Sequence, residues 1–143
     1  LGKVLFTDVC DLIIKKNPFE FMTNSSQLYF GSDLSNYPRI RDNPWCVNKT
    51  SELLGKPGFE INQSFLDFEY INAGAYGGHY ENIKQFTQAL VLLFQTLASD
   101  ANNNMMAINY LLWKYKIPHF KGQPFTSPFK QYDLAGDYYL VHK

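Results

Sequence analysis

Behind a glycine-rich stretch, Gly74 and Gly77-Gly78, the apolar residues Ile83, Phe86, Leu90, Leu93 and Leu97 recur at alternating intervals of three and four. An α-helix returns such residues to one face, so the spacing predicts a helix over about residues 80–98 with one buried side. A one-sided helix needs an apolar layer to lie against. Short β-rich segments can supply it: residues 3–8, "QLYF" at 27–30, residues 65–72, "IPHF" at 117–120 and the terminal "DYYLVHK". The glycines at 74 and 77–78 are expected to end the third of these strands. A second helix, capped by Ser99-Asp100, is predicted from the stripe Met105, Ile108, Leu111-Leu112 and Tyr115. Asn17-Pro18 closes an early segment, because the residue before proline avoids helical geometry. From Leu34 to Gln63 the turn formers Pro38, Asn43-Pro44, Gly55 and Pro57-Gly58 dominate, and a long loop of the lid or binding kind is expected. Strands and helices are interleaved throughout. The class is α/β, a mixed sheet with flanking helices.

A chain of 143 residues suits a single domain with a core of its own. Aromatic residues make up 17%, with 12 Phe and 10 Tyr, which suits either an aromatic core or a surface that stacks sugar rings or bases. Bases are the weaker option. Lys plus Arg and Asp plus Glu balance at 13 each, and the longest basic cluster is Lys15-Lys16, so the counterion-displacing face of a nucleic-acid binder is missing. No run approaches the roughly 18 apolar residues of a spanning helix. Cys10 and Cys46 are too few for a disulfide framework. Asn24-Ser25-Ser26, Asn48-Lys49-Thr50 and Asn62-Gln63-Ser64 match the glycosylation acceptor pattern, which recurs by chance in an Asn-rich chain.

Four places put polar residues at the ends of apolar elements, where ligands gather in open α/β sheets. Asp8 and Asp11 follow the first strand. They either cap a turn or form a hard oxygen site for Mg²⁺ or Mn²⁺. Asn72-Ala73-Gly74 either makes a strand-to-helix turn or lets the backbone approach a ligand closely. Asp100 either caps its helix or serves as a general base in a cleft. His142, after an apolar strand, is either structural or completes an Asp/Asp/His metal site. His79 and His119 have no acidic partner at ligand spacing and read as structural.

In this order, "TDVCD", "INAG", "SDANNN" and "LVHK" resemble the glycosyltransferases of the GT-A fold, nearest to the families related to glycogenin and the galactosyltransferases. Asp11 stands seven residues before Pro18, the place of the second acid in that group's Asp-x-Asp motif; Asp8 falls one residue before the first, which would be Val9. Where those families carry Gln after the helix acid, this chain has Ala101. The resemblance implies a partial GT-A-like, Rossmann-like domain spanning residues 1–143, a fragment without the N-terminal nucleotide-binding strands. It implies that Asp8, Asp11 and His142 hold Mn²⁺ or Mg²⁺, that Asn72, Ala73 and Gly74 contact the donor sugar, and that Asp100 serves the acceptor. The partners it implies are a nucleotide-sugar donor and a glycan or protein hydroxyl acceptor. Such chemistry is housed in a bacterial cytoplasm or a eukaryotic Golgi lumen.

The function expected is metal-dependent transfer of a sugar to a hydroxyl, with little turnover by this stretch alone. A non-catalytic glycan-binding or interaction domain on the same scaffold is the rival. A metal-dependent phosphoesterase is a third option, weakened by the shortage of further acids and histidines at strand ends.

Overall fold

A computed structural model describes residues 2–33, 36–97 and 103–143. The described residues form two sheets with helices packed on them, and the α/β class holds. Strand β1 is Lys3–Thr7, β3 is Leu28–Gly31, β4 is Asn72–His79 and β5 is His119–Lys121. They assemble in the order β1-β4-β3-β5, antiparallel except for the parallel β3/β5 pair. A smaller sheet pairs β2, Leu12–Ile14, with β6, Leu140–His142, antiparallel.

Alternation along the strands builds two cores. In β3, Leu28 and Phe30 join one cluster while Tyr29 joins another; in β1, Val4 and Leu5 divide the same way. Successive side chains of a strand point to opposite faces, so the clusters lie on the two sides of the sheet. The larger side is covered by helices. In α4, Tyr80–Leu97, the residues buried are Ile83, Phe86, Leu90, Leu93 and Leu97, the stripe anticipated from the spacing. In α5, Asn104–Lys114, every residue from Met106 to Leu112 is buried, so that helix lies inside the layer. The smaller side gathers Met22, Tyr29, Ala75, Phe125 and Leu140. No helix among the described residues is long and apolar enough to cross a membrane.

Three expectations are corrected. The strand placed at 65–72 begins only at Asn72, and a short helix, α3, occupies Gln63–Leu66. Its glycines sit inside the strand: a Cβ on Gly77 would meet Val4 O at 2.5 Å and Met22 Sδ at 3.0 Å. Gly77 therefore marks a close approach of neighbouring chains, not a turn. The segment 34–63 is no continuous loop, because α2 spans Pro44–Leu53. Asn43 Oδ1 accepts the N–H groups of Trp45 (3.0 Å) and Cys46 (3.4 Å), and Pro44 takes the first helical position. Asn-Pro is here a helix start, with a side-chain cap ahead of a proline whose missing N–H costs nothing. Asn17 and Pro18 begin the one-turn helix α1, Pro18–Phe21, in the same way. A strand for which the sequence reading makes no prediction is β2, the apolar triplet after Asp11, which belongs to the second sheet.

Candidate functional site

Asp8 leaves β1 with its N–H donating to Gly74 O at 2.9 Å, which fixes it beside the start of β4. After the turn, Asp11 O accepts from the Lys143 N–H at 2.7 Å, and Leu12 stands opposite His142 in the small sheet. Two strands thus bring Asp11 and His142 together from opposite ends of the sequence. β6 is tied down further, since the His142 N–H donates to Ser127 Oγ at 2.8 Å.

The start of β4 is held from the helix side. Asn109 of α5 is fully buried; its Oδ1 accepts from Ile71 N–H at 2.7 Å and its Nδ2 donates to Ile71 O at 3.1 Å. Asn72 then turns its Oδ1 back to accept the Gly74 N–H at 2.8 Å. Gly74 is the meeting point. A Cβ there would lie 2.5 Å from His142 Nε2 and 3.0 Å from Asp8 Oδ2. The edge of the imidazole, Cε1 as well as Nε2, and the Asp8 carboxylate therefore fill the space over the bare Cα.

His142 is 1% exposed, and neither ring nitrogen has a hydrogen-bond partner among the described residues. The Phe129 ring lies against it with centroids 4.6 Å apart. Burial pushes its pKa below the ordinary 6.5, opposed by the charges of Asp8, Asp11 and Asp33. The downward direction leaves the ring neutral at pH 7, with one nitrogen carrying a lone pair. An unsatisfied buried imidazole is costly, and its position facing carboxylates suits a ligand-binding role.

These groups open on a cleft of about 560 Å³. Asp8, Asp11, Asn72, Ala73, Gly74 and His142, all singled out from sequence, line it together. Asp100 lies outside the described residues. Among the described residues no three His, Cys, Asp or Glu side chains form a set that could hold a metal ion, so Asp8, Asp11 and His142 line one cleft without making an assembled metal site. No family model matches this chain. Nor does any curated protein.

The cleft also contains residues that sequence reasoning passes over: Asp33, Tyr37, Asn43, Trp45, Asn104 and Lys130. Asp33 has a signal. It follows β3 in "GSD", a strand-end acid like Asp8, although the tripeptide reads most simply as a strand stop. Trp45 is hidden by the unexpected helix α2, and Lys130 by a local turn in which its φ is +64°.

Proposed function

We propose that this chain is a GT-A-like, Rossmann-like glycosyltransferase domain acting on a nucleotide-sugar donor. The observation that carries the reading is the convergence on one cleft of Asp8, Asp11, Asn72–Gly74 and the unpartnered imidazole of His142. These residues come from separated stretches of sequence, and their chemistry is coherent.

The reaction is substitution at the anomeric carbon of the donor. An acceptor hydroxyl oxygen forms the new C–O bond while the bond from that carbon to the diphosphate oxygen breaks. The electron pair leaves with the nucleoside diphosphate, and the hydroxyl proton passes to a base, the role assigned to Asp100. Carboxylate oxygen and imidazole are suitable ligand types for Mn²⁺ or Mg²⁺, and Asp8, Asp11 and His142 would be the residues to hold it, although as placed they form no assembled metal set. When bound, the ion would supply Lewis-acid neutralisation of the departing diphosphate. Ala73 adds only a methyl to the cleft lining where the donor sugar would lie, with Asn72 holding that backbone in shape.

Calorimetric titration with Mn²⁺ and UDP tests the reading. Binding by the native chain, weakened at least about tenfold by Asp11→Ala and by His142→Ala in folded protein, is the expected result. Unchanged affinity in both variants, or no binding by the native chain, would overturn it.

A further inference from the structure

From the unpaired edge of β1 and the apolar trough beside it, we infer that two copies of this chain associate through β1. The strands pair antiparallel about Leu5 and join the two sheets into one. Nothing in this depends on the glycosyltransferase reading.

β1 is an outer strand, with β4 on one side only. The Tyr80 N–H donates to Gly2 O and the Asp8 N–H to Gly74 O, which fixes the phase of the β1/β4 ladder. Antiparallel bonds recur at every second residue, so Val4 and Phe6 turn their N–H and C=O groups to β4. Lys3, Leu5 and Thr7 turn theirs outward, and no strand among the described residues pairs with that edge. Edges that stay single are guarded by proline, a bulge or an obstructing charge. β1 has no proline and keeps one register throughout. Its Lys3 ammonium is turned aside to Phe19 O at 2.6 Å.

On the helix side, β1 and α4 line a trough of about 660 Å³. Val4, Phe6, Tyr80, Ile83, Val91 and Leu92 make it mainly apolar. Lys84, Thr87 and Gln88 are the polar minority that a homodimer interface also carries. Phe6 is 39% exposed, Val91 49% and Leu92 64%. Open backbone groups beside apolar side chains suit an added β-strand that brings an apolar layer with it.

A second copy supplies both. About a two-fold axis at Leu5, Leu5 meets its equivalent and Lys3 meets the partner's Thr7, so every outward N–H and C=O of the three residues is paired. Val4 then lies opposite the partner's Phe6, a β-branched and aromatic pair of the kind that stabilises sheets. Charge selects the same direction: Lys3 comes to the end of the partner strand that leads into Asp8, whereas parallel pairing would set like charges side by side. The helix α4 packs on both β1 and β4. It therefore lies about one strand spacing, ~4.8 Å, from the axis. Its copy is then about 10 Å away, a helix-packing distance, and the flanks bearing Val91 and Leu92 meet. A lone strand from another protein would leave those side chains in water.

Sedimentation equilibrium of the native chain tests this, with a reversible species of twice the monomer mass expected. Thr7→Pro removes an outward N–H that the monomer does not use, at a position where an edge strand tolerates proline. Leu92→Glu puts a charge on the exposed flank of α4. Each should weaken association at least about tenfold, with circular dichroism and the urea midpoint unchanged. Register is read by oxidation in a Cys10→Ser background. A mixture of Lys3→Cys and Thr7→Cys chains should give a disulfide-linked dimer that neither variant forms alone. A monomer at every concentration would overturn the inference, as would a dimer that both surface variants leave intact. So would a monomer whose Leu5 and Thr7 amides resist hydrogen exchange, because the edge would then be covered within the chain.

Discussion

Gly74 makes room for the side chains of His142 and Asp8 by having nothing on its Cα. The space where a Cβ would sit is shared by His142 Nε2 and Asp8 Oδ2, at 2.5 and 3.0 Å. The imidazole cannot retreat far, because Phe129 lies against its ring and its backbone is fixed in β6. Asp8 is exposed and can swing away more cheaply. Gly74→Ala should therefore shift the histidine or lift the strand, costing about 1–3 kcal/mol as overpacking of a filled site does. Urea unfolding would show a lower midpoint with an unchanged slope. If the proposed ion site is right, Mn²⁺ affinity falls with it, while a purely structural glycine would lose stability alone.

At the scale of elements, the site depends on two clamps. The first is Asn109, which pairs both backbone groups of Ile71 and also donates to Met105 O at 2.8 Å. Asn109→Ala leaves a buried donor and a buried acceptor of Ile71 unmatched, and should cost about 2 kcal/mol or more by urea unfolding. The second is the turn before β6. Asp133 accepts from the N–H groups of Ala135 and Gly136, both at 3.0 Å, and from Tyr138 Oη at 3.2 Å. Lys15, next to β2, donates to the carbonyls of Leu134 and Gly136 in the same turn, and Lys16 pairs with Asp137. Those hydrogen bonds, the Gly136 N–H first, lower the Asp133 pKa below 3.8. The folded state thus binds this proton less readily than the unfolded chain. Its contribution is whole above the unfolded value of about 3.8 and drains away as pH falls through the depressed folded value. Acid titration of thermal stability should show that loss in the native chain, with a shallower decline in Asp133→Asn.

Elements differ in how plainly the sequence announces them. The helix α4 is legible from its stripe alone, and the strand-end pattern singles out Asp8, Asp11 and His142, which line one cleft. The helical period and the strand end are local signals. What is not legible depends on neighbours distant in sequence. Gly77 looks like a turn because its reason, the approach of Val4 O and Met22 Sδ, is contributed by other segments. The helix α2 is obscured because Asn43-Pro44 serves turns and helix starts alike. With it goes Trp45, which belongs to the cleft only through α2.

For the molecule as a whole, the two cores have different tasks. The larger one ties α2, α3, α4 and α5 to the sheet and holds the start of β4. The smaller one holds β6, and therefore His142. Phe125 is its key, fully buried and near Phe21 and Tyr29 with centroids 6.2 and 5.8 Å away. Its carbonyl accepts the Leu140 N–H at 3.0 Å, and the Ser127 N–H donates to Leu140 O at 2.9 Å, so the backbone that carries the ring is tied to β6. Removing that ring should cost about 3–5 kcal/mol, a large share of the roughly 5–15 kcal/mol that holds a domain together. The loss should be uneven. Helices α4 and α5 keep their packing on the other face of the sheet, while β6 loses the surface it rests on. Hydrogen exchange in Phe125→Ala should therefore deprotect the Leu140 and His142 amides well before those of Ile108 to Leu112. Phe125→Leu, which refills most of the volume, should restore much of that protection. Equal deprotection of both regions would mean that the two faces unfold as a single unit, and that the site has no stability separable from the core behind it.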